Sequence, residues 1–247
     1  MADWNDTSRN EQRFGSVPRA GGDVAGRAGY DEGLRKHMLS IYNYMMSAVL
    51  LTGIVALVSA NSGITLALVG SPLIWVVMLA PLGFVLAMSF GLHKMSTGTL
   101  NVLFWAYATV MGLSMSTIFL VYTGQSIATT FFATAAAFAG LSLVGYTTKK
   151  DLSGFGTFLI MGVIGLIVAS LVNLFLKSDV MSLVISGLGV LIFAGLTAYD
   201  TQRLKQEYAM LRGTEYVGKA VIMGALSLYL DFVNMFMYLL RLFGNRD

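Results

Sequence analysis

Cysteine is absent from the 247 residues, which excludes disulfides, thiol catalysis and cysteine-ligated metal sites. Charge is scarce as well: Asp, Glu, Lys and Arg make up 12% of the chain, against about 25% in an ordinary soluble domain. Residues 38–92 and 95–148 contain none at all. A spanning helix needs roughly 20 apolar residues, so each of those runs holds two. Apolar stretches this continuous lack the alternation of a membrane β-barrel. The two histidines, His37 and His93, are far apart and form no metal motif. The N-terminus lacks the apolar core of a cleavable signal, so insertion is expected to use the first spanning helix.

What is present divides into a polar tail and seven segments. Residues 1–37 mix Arg, Lys, Asp and Glu with Gly and Ser, a composition that predicts a disordered cytoplasmic tail. Residues 38–247 form the membrane domain, with segments predicted at 38–60, 72–91, 100–122, 127–146, 155–176, 180–199 and 220–244. The fold class is therefore an all-α membrane protein. Pro81 falls inside the second segment, where proline often kinks a helix. Small residues in the fourth segment (Ala133, Ala135, Ala136, Ala137, Ala139, Gly140), and Gly162 and Gly165 in the fifth, suggest close helix approach. A loop is expected between Asp200 and Lys219.

Basic residues gather in alternate connections. Arg35, Lys36, Lys94, Lys149, Lys150, Arg203, Lys205, Arg212 and Lys219 flank one side, and only Lys177 the other. This bias predicts a cytoplasmic N-terminus. It also explains the net charge of +3 as topology and not as nucleic-acid binding. Arg241 and Arg246 near the C-terminus conflict with a full seventh crossing, so the last segment is either re-entrant or a spanning helix shielded by the other six.

That last segment carries Asp231 with no other charge from 220 to 240. A carboxylate at bilayer depth costs several kcal/mol unless neutralised, paired or wetted, and marks a functional site by default. Ser227, Asp231, Asn234, Tyr238 and Arg241 share one helical face. Asp200, which closes the sixth segment on the face of Thr197, is the nearest acid on an adjacent segment. If the two meet, they titrate as a coupled pair. Such a pair suits a proton-sensitive latch, a weak cation site or an aspartic-protease dyad. Asp200 read alone is a helix-end residue facing water, paired with Arg203 or Lys205.

The stretches TAYDTQRL (197–204) and ALSLYLDFVNMFMYLLRLFG (225–244), with TTKKDLSGFG (147–156) and ASLVNLFLKS (169–178), resemble the Bax inhibitor-1 (transmembrane Bax inhibitor motif) family, its bacterial branch most of all. The likeness covers residues 38–246. It implies six helices around a central seventh segment, both termini cytoplasmic, in a bacterial inner membrane. It further implies a pH-sensitive calcium leak in which Asp200 and Asp231 act as latch and proton sensor. Some members add an Arg near the end of the second segment; MSFGLHKMS stands there instead, leaving Lys94 or His93 as the candidate latch cation.

The leading expectation is thus a cation leak without an enzymatic role or cofactor. Calcium, which takes six to eight oxygens, would be held weakly and transiently by Asp200 and Asp231, with Ser227, Asn234 and water in support. Protons alone fit the same residues. The alternative is a regulator that restrains a membrane-anchored AAA+ protease or other partner, with the polar tail as contact. An intramembrane aspartyl protease shares only the Tyr199-Asp200 dipeptide, since Asp231 stands in LYLDF where a Gly-x-Gly-Asp is needed. Serine and zinc hydrolases lack their residue sets, and the glycines form no nucleotide-binding fingerprint.

Overall fold

The computed structural model describes residues 20–245, which form eight α-helices. They are α1 (Ala20–Asn61), α2 (Ile64–Val69), α3 (Leu73–Gly91), α4 (Thr97–Met115), α5 (Gly124–Thr147), α6 (Ser153–Leu176), α7 (Asp179–Leu211) and α8 (Val217–Phe243). A 3₁₀ turn, Ser116–Leu120, prolongs α4. Seven of the helices are long and apolar enough to cross a membrane, and no strand occurs among the described residues. The chain is an all-α multi-pass membrane protein.

Local chemistry fixes the helix starts. Ser96, Thr123 and Ser178 each accept a hydrogen bond from the backbone N–H three residues on, capping α4, α5 and α7. Before α6, Asp151 accepts from both the backbone and the hydroxyl of Ser153, which holds its carboxyl below the usual carboxylate range.

Two stretches are more helical than expected. The stretch from Ala20 to His37, within the predicted disordered tail, belongs to α1; residues 1–19 lie outside the described residues. Glu32, Leu34, Arg35 and Lys36 are good helix formers that extend a helix already nucleated by the span. Likewise the loop expected after Asp200 is mostly helix. The run TQRLKQEYAML continues α7 to Leu211, and the chain turns only near Gly213, in the left-handed region at φ 81°.

α8 is the centre of the bundle. Two-thirds of its most apolar stretch is buried (67%), against 11% for α3 and α6. It packs on α7, α5 and α4, while α6 lies against α7 and α3 against α4. The closest approaches use buried glycines: a Cβ at Gly145 of α5 would strike the Ala198 carbonyl of α7, and one at Gly112 of α4 would come within 2.8 Å of the Thr52 carbonyl of α1. The small residues expected to serve α5 do otherwise. Ala133, Ala136, Ala137, Ala139 and Gly140 are exposed, and the inward face is Thr130, Thr134, Phe138, Ser142 and Gly145. In α6, Gly162 meets Ile192 but Gly165 borders open space.

α8 crosses the bundle once. It runs unbroken for 27 residues, about 40 Å at 1.5 Å per residue. Near its start Lys219 Nζ donates to the Leu92 carbonyl at the α3–α4 turn. Past its end Asn245 donates to Ser126 Oγ and accepts from Thr123 N at the α4–α5 turn. Those turns close opposite ends of α4, so the re-entrant reading is overturned. His37 of α1 packs its ring on Tyr208, beside the α7–α8 connection, whereas α8 ends at the α4–α5 turn, so His37 and the end of α8 lie at opposite ends of the bundle.

Candidate functional site

A five-residue connection makes α7 and α8 an antiparallel hairpin. Its register follows from two contacts. Arg203 on α7 donates to Ser227 on α8 at 3.2 Å, and the Phe193 ring of α7 stacks on Tyr238 of α8 with centroids 5.9 Å apart. Stepping one helical turn at a time between them puts Asp231 level with Asp200 and Asn234 level with Thr197. The polar stripe of α8 therefore lies along α7. No fold-back is needed to bring the acids together.

Asp200 and Asp231 are 7% and 4% exposed. Asp200 Oδ1 is 3.2 Å from Arg203 Nη1, and the other arm of the same guanidinium reaches Ser227. Asp231 feels the charges of both Asp200 and Arg203 across the seam. Glu207, one turn beyond Arg203, adds a third carboxylate in the same field. Lys205 points elsewhere, donating to the Tyr146 carbonyl on α5. Asp231 Oδ2 is buried with no hydrogen-bond partner among the described residues. Among the described residues Asp200 is the acid in ion-pair contact with Arg203, and Asp231 lies buried beside it.

The remaining stripe residues are placed as follows. Thr197 is fully buried and donates to the Phe193 carbonyl of its own helix. Asn234 is half-buried and donates to the Leu230 carbonyl one turn back. Tyr238 lies over Gly189, with the exposed Arg241 guanidinium 5.7 Å above its ring. Burial falls from Asp231 through Asn234 and Tyr238 to Arg241, and on the other side from Asp200 to the half-exposed Arg203. The seam is polar throughout and tightest at the acids.

Arg203 is the cation that the structure sets on Asp200. The signal was there, as a cation three residues after Asp200 on one helix is in contact range. The sequence offers both Arg203 and Lys205 as partners of a helix-end Asp200, and the structure selects Arg203. His93 and Lys94 are exposed on the α3–α4 turn, whose Leu92 carbonyl binds Lys219, and the cation on Asp200 is Arg203. Across α8 from the acids lies a pair that sequence patterning did not single out. Thr52 Oγ1 donates to the Ala108 carbonyl at 2.9 Å and meets Tyr229 Oη at 2.7 Å, while Tyr107 packs edge-on to Tyr229.

For calcium the fit is loose. Among the described residues no three His, Cys, Asp or Glu lie near enough to hold a metal. Two carboxylates and a few neutral oxygens fall short of the six to eight ligands of a resident calcium, and suit at most an ion that keeps much of its water.

A family model described as inhibitor of apoptosis-promoting Bax1 matches residues 34–247. The chain is 45% identical to the inner membrane protein YbhL of Escherichia coli K12 over 233 residues, 93% of this chain and 98% of that one. It is 46% identical to protein RP147 of Rickettsia prowazekii, covering 88% and 92% of the two chains. A Caulobacter vibrioides protein is 45% identical, with 98% and 100% covered.

Proposed function

The chain belongs to the Bax1-inhibitor family, and we propose that it is a proton-sensitive cation leak, with calcium as a permeant ion, gated at the α7–α8 seam by Asp200 and Asp231. The observation that carries this reading is the unpartnered Oδ2 of Asp231, buried beside a second carboxylate that Arg203 already holds. A buried carboxylate oxygen without a partner is costly, so a proton or a passing cation has a defined place there. Gain or loss of one proton changes the charge of the seam by one unit, just where the polar stripe is most occluded. Weak binding follows from the small ligand count, as conduction requires. Ions would pass along the stripe by Asn234, Tyr238 and Arg241 and leave by Arg203 and Glu207. The printed name of the YbhL relative, an inner membrane protein, supports the bacterial inner membrane as the location of this leak.

The test is calcium entry into liposomes holding the purified protein, from pH 5 to pH 8, for wild type, Asp200→Asn and Asp231→Asn. A leak whose pH dependence either substitution flattens supports the gate. If wild-type vesicles are no leakier than empty ones at every pH, the leak reading fails. The reading that the protein restrains a membrane-anchored partner, a protease complex among them, then takes its place.

A further inference from the structure

A cleft of about 460 Å³ separates α1 from α5 and reaches the central helix. Its floor is Phe232, Val233 and Phe236 of α8, each at most 5% exposed. Its rim is Leu50, Ile54 and Leu57 of α1 and Phe132 of α5, which are 48–72% exposed. It runs from the level of Thr52 toward the α4–α5 turn, where Ile118 and Gly124 close it.

The gap exists because side chains are missing. A Cβ at Gly53 or Gly124 would meet nothing within 4 Å, and Ala128 lines the α5 wall with a single methyl. Thr52 is the one polar side chain in the lining, and its hydroxyl is committed to Ala108 and Tyr229. Water needs several polar partners and finds none free here. The opening lies on the flank of two spanning helices, so what meets it in a bilayer is hydrocarbon. At about 460 Å³ the cleft is small beside a helix some 10 Å across, whose body would have to stay outside it. A flexible chain of methylenes fits the same space.

We propose that the acyl chain of a bilayer phospholipid occupies this cleft and rests on Phe232 and Val233, the two residues after Asp231. The site is a lipid site on the central helix, distinct from the annulus around the bundle, and it stands whether or not the protein leaks ions.

The experiment uses the full chain in vesicles of phosphatidylethanolamine and phosphatidylglycerol, doped with a phospholipid carrying a photoactivatable diazirine on its acyl chain. After irradiation, adducts are mapped by mass spectrometry. Adducts on residues 49–57 and 124–132 should exceed those on the outer helices α3 and α6 several-fold. Gly53→Phe and, separately, Ala128→Leu fill the cleft and should bring labelling there down to the α6 level. Gly165→Phe, on open space in α6, should leave it unchanged. Even labelling of α1, α3, α5 and α6, no response to either filling variant, or cross-links between two copies through these residues would each overturn the proposal.

Discussion

Arg203 on α7 and Ser227 on α8 are joined by a 3.2 Å hydrogen bond, and this bond belongs to the same guanidinium that neutralises Asp200. One side chain therefore couples the charge of α7 to the position of the central helix. If Asp231 or Asp200 changes its proton count, the pull on Arg203 changes, and with it the link to α8.

Arg203→Gln should free both contacts. The Arg203 side chain is 41% exposed but that of Asp200 only 10%, so the variant leaves a buried carboxylate without its cation and should lower thermal stability measurably while still folding. The leak should rise and its pH profile shift. Lys94→Gln, on the exposed α3–α4 turn, should match wild type in both respects. A leak indifferent to Arg203 and sensitive to Lys94 would assign the latch to the turn instead.

The single crossing of α8 is open to direct labelling, because the natural chain has no cysteine. Glu215→Cys lies in the α7–α8 connection and Asn245→Cys beyond the end of α8. An impermeant maleimide applied to one side of sealed vesicles should modify one variant and spare the other. Modification of both from the same side would restore the re-entrant arrangement.

Asp231 was legible in the sequence because a lone charge in an apolar segment has no bland explanation, and the i, i+4, i+7 spacing of Ser227, Asp231 and Asn234 fixed its face. The meeting with Asp200 was not, since it depends on where α7 ends. Hydropathy drops after Tyr199, yet Leu204, Lys205, Gln206 and Glu207 are all helix formers, so the helix outlasts its membrane-apolar part by about three turns. The basic residues near the C-terminus misled for a related reason. Arg241 stacks over Tyr238 at the end of α8 and reports local packing as much as orientation. The small residues of α5 misled because composition does not say which face is inward; Gly145 does the close packing and Gly140 does not.

That contrast gives a matched pair. Gly145→Ala puts a methyl into the Ala198 backbone and must push α5 from α7, an overpacking that costs typically 1–3 kcal/mol, roughly. Gly165→Ala meets nothing and should be neutral or stabilising by about 0.5–1 kcal/mol through helix propensity. Thermal unfolding in detergent, followed by tryptophan fluorescence, should rank the variants in that order. A Gly145→Ala protein as stable as wild type would mean that the α5–α7 contact is looser than described.

Thr52 and Tyr229 supply the last test, on the opposite side of α8 from the acids. A threonine has one O–H, and here it goes to the Ala108 carbonyl, so the 2.7 Å contact requires Tyr229 to donate to Thr52. Thr52→Val keeps the shape but leaves the buried Tyr229 hydroxyl without a partner, at a cost of about 1–3 kcal/mol. Tyr229→Phe removes the donor together with its need, and should cost only about 1 kcal/mol. Thr52→Val should therefore melt at the lower temperature of the two. Neither should alter the pH dependence of the leak, since both leave Asp200, Arg203 and Asp231 untouched. A change in that profile would show that the two faces of α8 move as one, and the gate would then extend to α1 through Thr52.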